Sequence, residues 1–166
     1  MGREEVVEVR VRAAAPGDAG ELARLRWEHC IELWDRPPED APDRAAFEEE
    51  FRRFLSRAEL DGAWMIWVAE TSQAAGRLCG TISLFVVPMV PTPWRSGRAW
   101  GYVTSAQVDP SARGRGVGRM LVRAAEEWAR ARGLEQLLLW AAGDSPAFYE
   151  AVGFRRPDIV MERPLP

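Results

Sequence analysis

The chain contains 166 residues, of which 47% are apolar and 28% are charged, and its formal net charge is −3. This composition excludes intrinsic disorder, collagen-like repeats and coiled coils, and the length suits a single domain, expected over residues 1–166. No apolar run approaches the roughly 20 residues that span a bilayer, and the acidic start MGREEVVEVR is unlike a secretory signal, so we expect a cytoplasmic protein with no membrane partner.

The first half of the chain predicts an edge strand, two helices and a hairpin. Valine alternates with charged residues over 6–13, and Asp18 is a suitable N-cap for the first helix. The second helix carries an apolar stripe that we expect in the core, formed by Phe47, Phe51, Phe54 and Leu55. The predicted bounds are 6–13 for the strand, 18–34 and 43–60 for the helices, and 63–71 and 78–87 for the hairpin strands.

The second half predicts a strand–helix–strand unit and ends with a short helix and a last strand. Residues 88–98 contain three prolines and a glycine and predict a loop. Strict alternation over 100–108 would place five side chains on one face: Trp100, Tyr102, Thr104, Ala106 and Val108. The helices are predicted over 117–132 and 145–151, a strand buried on both sides over 134–142, and a last strand over 159–165. The tryptophans Trp27, Trp34, Trp94, Trp100 and Trp140 are expected mostly in the core.

The residue types that are missing exclude several chemistries. All 22 basic residues are arginine, so the chain has no phosphate-loop lysine and no Schiff-base amine. His29 is the single histidine, and with Cys30 and Cys79 it does not supply the four ligands of a structural zinc site, so no metal is expected. A sequence pI near 5.4 argues against a nucleic-acid partner.

Charge is distributed unevenly along the chain. Residues 28–61 hold eleven acids against five arginines, a net charge of −6, whereas residues 110–132 hold six arginines against two glutamates, a net charge of +4. Solvated helix faces of opposite sign would explain this pattern. A site with an anion-binding side and a cation-attracting side would explain it equally well.

The segment VDPSARGRGVGR, residues 108–119, lies between a predicted strand and a predicted helix. Its glycines permit positive φ and close approach to a ligand, and the amides at the helix start favour an anion such as a pyrophosphate. A dinucleotide fingerprint would need glycine at 119 or 121, where the chain has Arg119 and Leu121.

This segment resembles the acyl-CoA motif (Q/R)xxGx(G/A) of the GNAT superfamily of N-acetyltransferases, with Arg113, Gly116 and Gly118 at its fixed positions. The opening VRVRAAAPGD and the later AFYEAVGF resemble that family's first strand and closing signature. The resemblance implies one N-acetyltransferase domain over 1–166 with an α/β (α+β) fold. It also implies a mixed central sheet of six to seven strands, with strands four and five splayed, and about four helices.

The resemblance also implies where acetyl-CoA, the co-substrate, would bind. Arg113 would stand at the entry of a pyrophosphate loop whose backbone amides come from Gly114, Arg115, Gly116, Val117, Gly118 and Arg119. The backbone at Gln107 and Val108 would bind the pantetheine arm, and Arg123 is a candidate for the 3′-phosphate.

The implied chemistry moves an acetyl group from the CoA thioester to a primary amine by direct attack in a ternary complex. Tyr149 occupies the position of the family's general acid for the departing thiolate, and a packing role on its short helix is the alternative. Residues 98–107 contain no acid, so the base is either an acid of the first helical region (Glu28, Glu32 or Asp35) or ordered water. Gly143 replaces the family's usual asparagine, leaving Asp144 or Ser145 in its place.

Three functions remain open at this stage. A small, cationic amine is the expected acceptor, since the acidic first helix borders the acceptor pocket in this family and supplies Glu28 and Glu32. A peptide N-terminal acetyltransferase gated by residues 88–98, or a non-catalytic acyl-CoA-binding module, are the alternatives. The protein would be a monomer or a homodimer.

Overall fold

A computed structural model describes residues 8–34, 43–72, 76–143, 145–157 and 161–163. The elements follow the predicted order. They are β1 (Val9–Ala13), α1 (Ala19–Trp34), α2 (Arg44–Asp61), β2 (Trp64–Thr71), β3 (Leu78–Pro88), β4 (Ala99–Val108), α3 (Val117–Ala131), β5 (Leu137–Leu138) and α4 (Pro146–Ala151). Short 3₁₀ turns precede α1 (Pro16–Asp18) and α3 (Pro110–Ala112).

A side-chain oxygen caps α2, whereas a 3₁₀ turn precedes α1. Asp43 caps α2, accepting a hydrogen bond from the Ala45 amide at 3.0 Å. The expectation that Asp18 caps α1 is wrong, because Asp18 ends the 3₁₀ turn and its carboxylate accepts the Ala15 amide at 2.7 Å. The Arg12 guanidinium donates two further bonds to that carboxylate and holds the pKa of Asp18 below its usual range.

The described strands form one mixed sheet in the order β1-β2-β3-β4-β5. Neighbours are antiparallel except β4 and β5, which are parallel. The sheet thus has five strands among the described residues, where six to seven were expected. The expected last strand, 159–165, lies mostly outside them, and residues 161–163 are not in a strand.

The predicted strand over 134–142 is wrong in extent and in burial. Only Leu137 and Leu138 are paired, because the chain leaves β4 after them. Leu137 and Leu139 pack on the core, whereas Trp140 is 64% exposed, so one face of this segment is buried rather than both.

Helices cover both faces of the sheet. On one face α3 packs Val117, Leu121 and Ala125 onto the buried side chains of β2 and β3. On the other face α1 contributes Leu22 and Leu25, and α2 contributes Phe51 and Leu55, as its apolar stripe predicted. The expectation for the tryptophans is wrong for Trp94 and Trp140, since Trp94 lies in the 88–98 loop and is 88% exposed.

A β-bulge interrupts β4. Thr81 pairs with Gln107 and Ser83 pairs with Thr104, so β4 has one more residue than β3 over this stretch. Ser105 lies in the bulge and has a positive φ of 50°. The predicted alternation over 100–108 is therefore wrong. Val103 faces α3 before the bulge, Ala106 and Val108 face α3 after it, and Ser105 and Gln107 turn to the α1–α2 face.

Strands β4 and β5 part after two residue pairs, Gly101 with Leu137 and Tyr102 with Leu138. From Val103 onward no described strand pairs with this side of β4. The expected splay of strands four and five is confirmed, and it leaves an opening beside the second half of β4.

Gly101 allows this brief pairing, because a Cβ there would meet Leu137 Cδ2 at 2.5 Å and Leu84 Cδ1 at 3.1 Å. We expect Gly101→Val to lower the free energy of unfolding by about 1–3 kcal/mol through overpacking. Gly20→Ala on α1, where a Cβ meets nothing within 4 Å, is the control and should leave stability equal or higher. Urea unfolding of both variants checks this, and an unchanged midpoint for Gly101→Val would contradict it.

Candidate active site

The glycine-rich segment forms a turn that ends at the N-terminus of α3. Gly114 and Gly116 have φ of 75° and 81°, a left-handed backbone that side chains rarely adopt, and Gly116 is the N-cap of α3. Asp109 caps the 3₁₀ turn that precedes these glycines, and its carboxylate accepts a hydrogen bond from the Ser111 amide at 3.0 Å. The first-turn amides of α3, a 15-residue helix, have no intrahelical partners. They come directly after Gly114 and Gly116, and a Cβ at either glycine would meet nothing within 4 Å.

Arginines surround this turn. Arg115 and Arg119 are exposed. Arg113 donates from Nε to the Val108 carbonyl at 3.1 Å and binds both carboxylate oxygens of Glu32 at 2.6 and 2.5 Å. This ion pair joins the loop to α1 across 81 residues and is the main reason that the pKa of Glu32 is lowered.

The third glycine of the motif meets α4. A Cβ at Gly118 would lie 3.1 Å from the Phe148 ring, so the absence of a side chain lets α4 pack against the first turn of α3.

Tyr149 is half-buried, and its ring contacts Phe148 and Phe154 edge to face at centroid distances of 5.1 and 5.5 Å. It lines an open groove of about 1000 Å³ between α3, β5 and α4. Burial raises the pKa of the Tyr149 phenol above its ordinary value, so the phenol holds its proton at neutral pH.

Of Gln107 and Val108, the two residues expected to bind the pantetheine arm, only Val108 directs its backbone groups toward the opening beside β4. The Asp109 amide donates to Cys79 of β3, and backbone groups alternate sides along a strand. Val108 therefore directs its amide and carbonyl away from β3, and Gln107 directs its own toward β3. The side chain of Gln107, rather than its backbone, reaches a cavity on the α1–α2 face.

The acids proposed for the acceptor side are engaged in ion pairs. Glu28 binds Arg24 at 2.7 Å, and Glu32 binds Arg113. Asp35 and Asp144 lie outside the described residues. Ser145 donates its hydroxyl to the Ala142 carbonyl at 2.7 Å.

Arg123 and His29, which the sequence analysis also named, lie on α3 and α1. Arg123 is exposed and binds Glu127 at 2.8 Å on its own helix. His29 is half-buried on α1, and its pKa is lowered, first by burial and then by the charge of Arg26, so the imidazole is neutral at pH 7.

Sequence analysis missed the cavity on the α1–α2 face. Its volume is about 50 Å³, and its polar lining comes from Arg26, Thr81, Ser83, Ser105 and Gln107. The bulge at Ser105 turns two of these residues toward it, and alternation alone does not reveal a bulge.

The described residues offer neither a metal site nor a membrane-spanning helix. They contain no group of three or more His, Cys, Asp or Glu side chains able to hold a metal ion. They also contain no helix of the length and apolar character needed to cross a membrane.

Comparison with known proteins gives a family match and named relatives. Residues 21–154 match the family described as Acetyltransferase (GNAT) family. Glucosamine 6-phosphate N-acetyltransferase from Trypanosoma brucei brucei is 39% identical over 93 residues, covering 56% of this chain. The chain spans 61% of that relative's length. Glucosamine 6-phosphate N-acetyltransferase 1 from Oryza sativa subsp. japonica is 34% identical over 157 residues, 90% of this chain and 91% of the relative.

The fold is also shared with solved structures. A predicted acetyltransferase from Clostridium acetobutylicum, solved with acetyl-CoA, superposes with a TM-score of 0.77 at 20% identity, over 95% of this chain and 96% of that one. At this identity the likeness shows the fold alone. The family match over residues 21–154 and the rice relative show more: the chain belongs to the acetyltransferase (GNAT) family of enzymes, as its motifs predicted.

Proposed function

We propose that the protein transfers an acetyl group from acetyl-CoA to the primary amine of a small molecule, by direct attack in a ternary complex. The observation that carries this proposal is the position of the glycine turn. The turn follows the end of β4, whose second half no described strand pairs with on the β5 side, and Phe148 of α4 meets Gly118 in the first turn of α3.

The residues around the opening fit the acyl donor. A pyrophosphate would accept hydrogen bonds from the amides of Gly114 to Arg119, with Arg113, Arg115 and Arg119 supplying positive charge. The pantetheine arm would pair with the open edge of β4, chiefly at the Val108 amide, which faces away from β3; the Val108 carbonyl already accepts a hydrogen bond from Arg113. Arg123 would have to exchange its partner Glu127 for the 3′-phosphate.

The transfer needs one proton donor and one proton acceptor. The neutral amine attacks the thioester carbonyl, a C–N bond forms, the C–S bond breaks, and Tyr149 gives its proton to the departing thiolate. Its half-buried, protonated phenol suits that role. The carboxylates of Glu28 and Glu32 are already engaged by Arg24 and Arg113, so we propose that ordered water takes the amine proton.

The acceptor is proposed to be a small amine that arrives as an ammonium cation, which the net −6 charge of residues 28–61 would attract. The two named relatives make glucosamine 6-phosphate the first acceptor to try.

Thiol release and product mass, measured with acetyl-CoA and a panel of amines, test the proposal. Turnover of a small amine, lost in the Tyr149→Phe variant, is the expected result. Turnover of peptide N-termini alone would favour an N-terminal acetyltransferase. Binding of acetyl-CoA with no turnover of any amine would leave a non-catalytic binding module.

Glu32 offers a sharper test of the acceptor side. If it only partners Arg113, the Glu32→Gln variant should change the KM for acetyl-CoA by about threefold or less, because exposed ion pairs contribute little, and leave the KM for the amine unchanged. The Glu49→Gln variant, which removes one charge from an exposed ion pair on α2, is the control. A KM for the amine that rises selectively in Glu32→Gln would show instead that Glu32 binds the acceptor.

A further inference from the structure

The cavity on the α1–α2 face contains a buried amide group without a partner. Gln107 is 8% exposed, and neither its Nε2 nor its Oε1 makes a hydrogen bond within the described part of the chain. A buried polar group left unsatisfied destabilises the folded state, and such groups are rare in native proteins. The amide therefore needs a partner from outside the chain, either bound water or a polar group of a ligand.

The space beside Gln107 fits a small polar group. A cavity needs roughly 10–15 Å³ to hold one water molecule, and this one measures about 50 Å³. The hydroxyls of Ser83 and Ser105 also line it, and Phe54 and Trp64 form its apolar wall. A group the size of a carboxylate or a phosphate, with several acceptor oxygens, matches this set of donors.

The charge in the cavity is positive. Arg26 lines it, no acid does so, and Arg26 makes no ion pair with the residues that the structure describes. Its neighbour on the same helix, Arg24, bonds to Glu21, Glu28 and the Leu78 carbonyl instead. Arg26 is thus an arginine fork next to hydroxyl and amide donors, the arrangement that binds an oxyanion.

We propose that this cavity binds an oxyanion, a phosphate or a carboxylate, carried by the acceptor amine itself. Arg26 pairs with the charge, and Gln107, Ser83 and Ser105 donate hydrogen bonds to the oxygens. Because Ser105 and Gln107 belong to β4 at its bulge, the anion is anchored beside the opening, and the amine at the other end of the molecule extends into it. This specificity rests on the proposed acetyl transfer.

Paired ligands test the site without turnover. Calorimetric titration of the CoA-loaded protein compares glucosamine 6-phosphate with glucosamine and β-alanine with β-alaninamide. We expect the anionic member of at least one pair to bind about 10- to 100-fold more tightly, the range of charge-assisted hydrogen bonds. The pair that shows the preference identifies the phosphate or the carboxylate. Equal affinity within both pairs, or no binding of either anionic amine, would overturn the proposal.

Three variants test whether the cavity residues cause the preference for the anionic amine. Arg26→Gln should abolish the preference, and Gln107→Met should weaken binding of the anionic amine while raising the unfolding midpoint, since it removes an unsatisfied amide. Arg52→Gln, which removes an exposed arginine of α2 outside the cavity, should keep the preference. A preference that survives in Arg26→Gln would refute the site. Thiol release is measured separately, so an anion preference without turnover would reject the proposed transfer and retain this site.

Discussion

Replacing Tyr149 with phenylalanine is expected to lower kcat by about 100-fold or more, the usual contribution of a positioned proton donor. The dissociation constant of acetyl-CoA should stay within about twofold, because the lost proton matters only as the thiolate departs. Phenylalanine keeps the ring contacts with Phe148 and Phe154, so the unfolding midpoint should hold. Single-turnover kinetics and a binding titration measure the two quantities separately.

The chain supplies a matched control in its other tyrosine, Tyr102, which packs on Trp140 at 4.9 Å. Tyr102→Phe should retain nearly full activity. The pH dependence gives an independent check: because burial raises the pKa of Tyr149, loss of the donor by deprotonation should appear only above about pH 10. A wild-type kcat for Tyr149→Phe would assign Tyr149 a packing role only.

The second large effect is expected at Gly118. Gly118→Glu places a carboxylate in the first turn of α3, where it opposes a pyrophosphate, and we expect acetyl-CoA to bind about 100-fold more weakly or worse. A negative charge at a helix N-terminus is itself favourable, so this substitution should not harm the helix through its charge.

Gly118→Gln separates charge from bulk. Both side chains meet the Phe148 ring, which lies 3.1 Å from the position of a Cβ, but only glutamate repels an anion. Glutamine should therefore weaken binding clearly less than glutamate does. Equal losses would mean that displacement of Phe148 and α4, rather than charge at an anion site, governs the affinity.

The long periodic elements of the fold could be predicted from the sequence. The bounds of α3 and β3 are predicted within one residue, because each has a strong apolar period and a glycine or proline near its end. The extent of β5 could not be predicted, since an apolar run such as LLLW does not reveal that its partner strand turns away after two pairs.

Within the site, the prediction succeeded for local geometry and failed for long-range contacts. Glycine spacing predicted a turn at the start of α3, and the positive φ angles of Gly114 and Gly116 agree with it. The pairing of Arg113 with Glu32 joins residues 81 apart, and neither residue carries a local signal of the other. The buried amide of Gln107 depends on the bulge at Ser105, which shifts the facing of β4 by one residue.

Titration of the wild-type protein with acetyl-CoA and with S-acetylpantetheine, which lacks the pyrophosphate and nucleotide, tests the central claim most directly. If the turn at Gly114–Arg119 holds the donor, acetyl-CoA should bind in the micromolar range and S-acetylpantetheine about 100-fold more weakly or not at all. Equal affinity for the two ligands, or no binding of acetyl-CoA to the folded protein, would contradict an acyl-CoA site at this turn.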